Sequence, residues 1–370
     1  MLIDLVHPSD HAACNEFHNR IHHDRRSMTQ WRWEFVDNTH LQIPIPFVCA
    51  KDGDRVVGTQ AFIPIRMIDR DGVYWTAKSE ETLVDPEYRG QQVFEKMYDL
   101  LFRYAEDHQF AFIWGFTPAV KAFTRLQFAT PGVTHQLFLP FSPRSAAPMI
   151  RKLSSGQTEK GGRLRAAAMR TAIAAARVLS SVKITLGRRR LPDGLIIRTM
   201  DEPDDQAGLL CECFVKQWGG NTIYRDSRYL RWRLLENPYV RSIVRAIYEG
   251  DRLLGWVAFT LGDDGVGYLV DLLVSCDPSR WNPGILVKSL LVDAVFSTKN
   301  MGATGLRGWS VNQHPFDRLV RSEARKIGFY HIRRGHSVVL YICSAGRNRS
   351  SSANFDEWFV SRIYTEGVLS

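Results

Sequence analysis

The chain has 370 residues, 45% of them hydrophobic and 24% charged, which is a length for about two domains and an ordinary composition for a soluble globular protein. No apolar run approaches the roughly 20 residues that cross a bilayer, and the N-terminal MLIDLVHPSDHAACNEF has neither the basic nor the apolar region of a signal peptide. The net charge of +9 is local: residues 144–190 hold twelve Lys/Arg and one acid, so that segment carries +11 and the rest of the chain −2.

In chain order, a short strand (LIDLV) leads through a Pro-Asp turn into a helix, with Asp10 at the N-cap position. A Trp-rich helix follows (QWRWEFVDN, 30–38), then two strands joined by a Gly-Asp turn, PFVCAKDGDRVVGTQAFIPI. A further strand ends in LVDPEYRGQQVF (83–94), and Val93, Met97, Leu100, Leu101 and Tyr104 then fall at helical spacing. A strand (FAFIWGF), a helix ending FTRLQF (123–128) and a last strand close the unit.

The same order recurs further along the chain. YLRWRLLEN (229–237) matches the Trp-rich helix through Arg32/Arg231, Trp33/Trp232 and Asn38/Asn237. GDRLLG (250–255) matches GDRVVG (53–58), VSCDPSRWNPGIL (274–286) matches the Asp-Pro loop, and ARKIGF (324–329) matches FTRLQF. Asp204 or Asp205 takes the place of Asp10. The expected fold is therefore mixed α/β: two copies of one domain, 1–143 and 192–347, each a mixed sheet flanked by helices. They are joined by a basic Ala-rich linker helix over 144–191 and followed by a C-terminal tail, 348–370.

The six cysteines (Cys14, Cys49, Cys211, Cys213, Cys276, Cys343) are scattered, and the Cys211/Cys213 spacing has no second pair to complete a zinc site. Reduced thiols and a cytoplasmic setting follow. His18 and His22 share a helix face beside His23, but no third ligand stands at fixed spacing, so a solvated helix is expected there and no metal. Trp31, Trp33 and Trp232 read as core and inter-domain packing.

The chemistry-bearing stretch is ETLVDPEYRGQQVFEKMYDLL, 81–101. A strand that stops, an Arg-Gly turn and a helix N-terminus together form an anion site, with outward amides, a favourable helix dipole and a guanidinium fork. Neither GxxxxGK[ST] nor GxGxxG occurs. Val84, Pro86, Tyr88, Arg89 and Gly90 resemble the pyrophosphate-binding motif of the GNAT acyl-CoA N-acyltransferases, and AVKAFTRLQF resembles their later helix. WRWEFVDN and GTQAFIPI resemble a subgroup associated with polysaccharide modification. The resemblance covers about residues 1–140 well and 195–345 weakly.

It implies a tandem-domain enzyme that uses acetyl-CoA or another acyl-CoA, bound in the first copy by Leu83, Val84, Arg89, Gly90, Gln91, Gln92, Val93 and Phe94. Gln92 stands where the family has Gly, and Trp281 where the second copy would need its arginine, so the second copy is expected to have lost the cofactor. Glu80 and Glu81 lie on the strand beside the acyl group. Strict alternation lets only one of them face the cleft, and Glu81 lines up with the subgroup's acid, as base or as orienter of a base water. The family's acidic tyrosine falls at Phe123 and, in the second copy, Ala324, so no side-chain acid carries over.

The function expected is acyl transfer to an amine, with an amino sugar of a surface polysaccharide as the acceptor implied by the subgroup. Two alternatives stand beside it: an aminoacyl-tRNA-dependent transferase of similar tandem shape, and a non-catalytic scaffold or regulator. In the basic segment, Arg163, Arg170 and Arg177 recur every seven residues, as in a helix stripe that solvates a linker, lies on an anionic membrane at its inner face, or contacts nucleic acid. The absence of interleaved aromatics places nucleic acid last.

Overall fold

The computed structural model describes residues 1–38, 40–41, 43–141, 191–332, 335–347, 349 and 354–365. The basic segment 144–190 and its expected linker helix lie outside them.

The first copy runs β1 (Leu2–Leu5), α1 (His11–His22), α2 (Met28–Phe35), β2 (Phe47–Asp52), β3 (Arg55–Asp69), β4 (Gly72–Val84), α3 (Val93–Asp107), β5 (Phe112–Thr117), α4 (Val120–Arg125), β6 (Ala129–Val133) and β7 (His135–Pro140). The second runs β8 (Leu195–Thr199), α5 (Gln206–Trp218), β9 (Thr222–Ile223), α6 (Ser227–Leu230), continued by a π-helical turn over Arg231–Leu235, then β10 (Ile243–Glu249), β11 (Arg252–Leu261), β12 (Gly267–Val274), α7 (Pro283–Asn300), β13 (Gly305–Ser310), α8 (Pro315–Lys326), β14 (Tyr330–Ile332) and β15 (Ser337–Ile342).

These strands build two mixed sheets, as expected. The first has the order β1-β2-β3-β4-β5-β15-β6, with β9 on β3; the second has β14-β7-β13-β12-β11-β10-β8. Each contains a single parallel pairing among the described residues, β4 with β5 and β12 with β13. The repeat is thus visible as matching strand order, with one departure from a simple division at residues 143 and 192. The copies exchange a strand: β7 lies between β13 and β14, and β15 between β5 and β6. Leu137 and Leu139 of β7 are buried in one sheet, and Val338, Val339 and Leu340 of β15 in the other. Neither sheet is complete without the other copy's strand.

The Trp-rich helices hold the copies together, as expected of Trp33 and Trp232, while Trp31 lies in the core. Ser27 and Gln30 form a reciprocal capping box at the start of α2, and Asp226 caps α6 through the amide of Tyr229. At α1 and α5 the N-cap positions are Asp10 and Asp205, but neither side chain caps; Asp10 instead pairs with Lys51 at 2.7 Å. The C-terminal stretch read as a tail is built into the core over residues 354–365. Phe355, Trp358, Phe359, Val360, Ile363 and Tyr364 are buried, and Tyr229 and Arg233 both donate to the carbonyl of Ile363. Among the described residues no helix is long and apolar enough to cross a membrane.

Candidate active site

β4 and β5 pair only through Ala77–Ile113 and Lys78–Trp114, although β4 runs on to Val84 and β5 to Thr117. Beyond Lys78 the two strands part. In the same stretch Thr59 faces Leu83 and Ala61 faces Glu80, so Gln60 alone stands opposite Glu81 and Thr82. This is a β-bulge, and it forces Glu81 to φ +58°. Gln60 braces it: its amide donates to the carbonyl of Glu80 at 3.0 Å and its carbonyl accepts from Thr82 at 2.6 Å. The bulge cancels the alternation that the sequence implies. Glu80 and Glu81 both line one cavity of about 520 Å³, so the expectation that only one carboxylate faces the cleft fails for a local backbone reason.

The cavity lies between β4, α1, α2 and the second copy. His18, His22, Arg26, Glu34, Lys78, Phe116, Tyr239, Trp309 and His336 complete most of its wall. Glu81 is buried in a fork: Arg26 donates from Nη2 and Nη1 at 2.8 and 2.9 Å, and His18 Nδ1 lies at 2.9 Å. Burial alone would raise its pKa, but His18 and Arg26 together hold it below the ordinary value. A carboxylate so tightly paired is a weak proton acceptor.

Glu80 is different. Its side chain keeps about a third of its surface exposed and meets Lys78 Nζ at 2.5 Å. Burial lowers the pKa of Lys78, against the opposing pull of Glu80. Glu34 is pushed up to about 7 by burial, against the lowering effect of Arg26 and with Glu80 and Glu81 adding to the rise; it accepts a 2.7 Å bond from the Tyr239 hydroxyl. The rings of His22 and His18 meet at a tilt, with centroids 4.7 Å apart, and burial lowers the pKa of His22.

Comparison of the two copies separates frame from chemistry. Arg26 stands seven residues before Trp33, and Arg225 seven before Trp232. Counted from the parallel pairings, Lys78 matches Tyr268, Glu80 matches Val270, and Glu81 matches Asp271. Arg225 and Asp271 form a fully buried pair at 2.8 and 3.2 Å. The Arg26–Glu81 fork is therefore repeated in the second copy, whereas Lys78 and Glu80 are replaced there by Tyr268 and Val270. The fork pins the helix entrance to the central strand in both copies; the Lys78–Glu80 pair belongs to the first copy alone.

At the far end of β4, Leu83 and Val84 pair with Thr59 and Gly58 of β3 and leave the other strand edge open towards the parted β5. Arg89, Gly90, Gln91 and Gln92 are exposed, while Val93 is buried and Phe94 half-buried. α3 begins at Val93, where the helical spacing begins, and Gln92 is its N-cap in a left-handed conformation, φ +61°. No side chain caps it, and the amides of Val93, Phe94 and Glu95 have no acceptor among the described residues. Arg89's guanidinium likewise has no partner among them. Gly90 at φ +82° would give an added Cβ open space, so its role is conformational. The loop fits a diphosphate: free amides, a helix dipole of 15 residues and a free guanidinium converge on one exposed turn.

The matching end of α7 is closed. Asn282 caps the amide of Gly284 at 2.8 Å, Pro283 supplies no N–H, and the carboxylate of Glu323 would lie 3.3 Å from a Cβ at Gly284. Arg280 is engaged with Glu249 at 2.5 Å. On α4, Phe123 packs into rings from Phe94, Tyr98 and Phe128 and offers no proton. The nearby Tyr98 hydroxyl meets Ser79 at 2.6 Å.

Of the site residues expected, the structure places Glu80 and Glu81 in the cavity and Arg89–Phe94 at the helix entrance of the same strand. Sequence reading missed Arg26, Glu34, Lys78 and Tyr239. Extending the repeat alignment seven residues upstream of the tryptophans would have exposed Arg26 through its match to Arg225; Tyr239 reaches the cavity from the other copy and leaves no local signal.

Residues 3–125 match the family model of the acetyltransferase (GNAT) domain. No curated protein matches the chain. Similar solved structures include a conserved protein from Enterococcus faecalis described as a probable N-acyltransferase, with TM-score 0.59, 8% identity and coverage of 93% of this chain and 72% of that one. A GCN5-related N-acetyltransferase from Kribbella flavida has TM-score 0.57 and 13% identity, covering 93% of this chain and 72% of the other. A tandem GNAT protein from the clavulanic acid biosynthesis pathway has TM-score 0.52 and 11% identity, covering 94% and 99%. At these identities the likeness is one of fold: this chain has the tandem GNAT architecture.

Proposed function

We propose that the chain transfers an acyl group from acyl-CoA to an amine bound in the cavity between its two copies. The observation that carries this reading is the shared strand. The C-terminal half of β4 opens at Lys78–Glu81 into a cavity lined by carboxylates where it parts from β5, and its end at Val84 runs on into an uncapped helix entrance beside a free arginine, the strand and the entrance both within the segment that matches a GNAT domain. When bound, acyl-CoA supplies an activated thioester.

Arg89 and the amides of Val93, Phe94 and Glu95 would hold its diphosphate, and the open edge at Leu83 and Val84 would line its pantetheine arm. Glu80 takes the proton of the acceptor amine, while Glu81, fixed by Arg26 and His18, holds the bulge that turns Glu80 into the cavity. The closed entrance of α7 supports a single cofactor site per chain. The rings of Phe116 and Trp309 beside the cavity carboxylates suit an amino sugar, in keeping with a role in polysaccharide modification, and the +11 segment supports peripheral contact with an anionic membrane from the cytoplasmic side.

Calorimetric titration with acetyl-CoA and longer acyl-CoAs tests the reading. Binding is expected, and Arg89→Ala should weaken it by about 1.5–3 kcal/mol, as for a hydrogen bond to a charged group. A wild-type chain that takes up no acyl-CoA would sink the proposal.

A further inference from the structure

We propose that Lys78 is itself an acyl acceptor: its ε-amine takes one acyl group from bound acyl-CoA and so becomes a self-modification site inside the cavity. This rests on the acyl-CoA reading above.

Three observations carry it. Lys78 is the last residue of β4 to pair with β5, opposite Trp114, so its side chain stands where the strands part and a thioester must thread. It lies on the cavity wall with Glu80, two residues on, and Nζ is 2.5 Å from that carboxylate. The pair is not required by the fold, since the second copy carries Tyr268 and Val270 at the same positions and retains only the Arg–carboxylate fork. Burial favours the neutral, nucleophilic form of the amine, against the pull of Glu80.

The step balances without any further reactant. Nζ passes a proton to Glu80 and attacks the thioester carbonyl carbon. The C–N bond forms, the C–S bond breaks, and the thiolate leaves with the electron pair of that bond. Glu80 hands that proton to the departing thiolate, then takes the second proton from the acylated nitrogen and releases it to water. The product is an amide at Lys78 and free CoA. Such an amide is stable, so the event occurs once per chain. It removes a positive charge from the cavity and releases Glu80 from its ion pair.

The burial of Lys78, 3% exposed, makes the test sharp. Acetyl-CoA in bulk solution reaches exposed amines such as Lys96 and Lys121 first. Delivery through the site reverses that order. The full chain is incubated with acetyl-CoA, its uptake followed by intact mass and located by peptide mapping, with binding measured in parallel by calorimetry. The expected result is one acetyl group on Lys78 before Lys96 or Lys121 is labelled. Arg89→Ala should slow labelling at Lys78 without changing that of the exposed lysines, and Glu80→Gln should slow it with binding unchanged. Lys78→Arg should bind acetyl-CoA and take up no acetyl group at that position. Wild-type binding of acetyl-CoA with Lys78 unmodified, or labelled no faster than Lys96 and Lys121, overturns this inference and leaves the proposed function standing. Absence of binding overturns both.

Discussion

The indole of Trp33 donates to the carbonyl of Trp232, and the indole of Trp232 donates to the carbonyl of Trp33, each at 3.2 Å across rings stacked with centroids 4.8 Å apart. Two residues matched by the sequence repeat thus make the same contact with each other in both directions. The reciprocity places them at the pseudo-symmetric centre of the interface, and both bonds are buried. Trp33→Ala should cost about 3–5 kcal/mol, as for a large ring lost from a core. Trp33→Phe should cost about 1–3 kcal/mol, because it leaves the Trp232 carbonyl without a donor. Urea denaturation measures both. A double variant with Trp232→Phe should cost less than the sum of the two single changes, since the partners share one contact; strict additivity would deny the coupling.

The two adjacent carboxylates should fail in different ways. Glu81→Gln breaks a buried fork and leaves Arg26 without its main counter-charge, a change worth about 3–5 kcal/mol of stability. Because its folded pKa is depressed, Glu81 contributes stability above the ordinary carboxylate range and loses it as pH falls through its folded pKa. The variant should therefore be weakest relative to wild type near neutrality and converge with it in acid. Glu80→Gln, at a site about one-third exposed whose amide oxygen can still accept from Lys78, should cost less stability than Glu81→Gln and lower kcat by about 100-fold, as for loss of a general base. The opposite assignment of the two phenotypes would return the catalytic role to Glu81.

Gln92 occupies a left-handed position, φ +61°, at the helix entrance. A side chain there costs roughly 1–2 kcal/mol relative to glycine, which is partly offset by the greater freedom of glycine in the unfolded chain. Gln92→Gly should thus raise the melting temperature slightly and tighten acetyl-CoA binding by removing a side chain from the mouth of the loop. Weaker binding in this variant would mean that the Gln92 amide itself contacts the cofactor.

Strand order along the chain, hairpins and the open helix entrance after β4 were legible because they are local: alternation, a Gly-Asp turn, an Arg-Gly turn before a helical period. The exchange of β7 and β15 was not, since repeated sequence fixes the order of strands along the chain and not the sheet each one joins. Glu80 and Glu81 were legible as a pair but not in their orientations, because the bulge depends on Gln60, a residue on the neighbouring strand that braces both Glu80 and Thr82. Tyr239 and Glu34 meet across more than two hundred residues of sequence, and nothing near either one announces the contact.

Glu34 supplies the remaining prediction. It lies against Arg26, Glu80, Glu81 and the Tyr239 hydroxyl, and burial lifts its pKa from an ordinary 4.5 to about 7. Between those values the folded chain holds a proton that the unfolded chain has released. Stability therefore declines as pH rises through that window, because the unfolded state binds fewer protons than the native one, and the contribution levels off above about 7. Glu34→Gln keeps an acceptor for Tyr239 and a neutral side chain at every pH, so it should remove this slope. Urea midpoints of wild type and variant, measured at intervals from pH 4.5 to 8, should diverge as pH rises, with the variant relatively more stable at the upper end. Histidines that titrate in the same range are common to both proteins and cancel in the difference. Parallel curves across the window would show that Glu34 is ionised throughout, held by Arg26 in the same manner as Glu81.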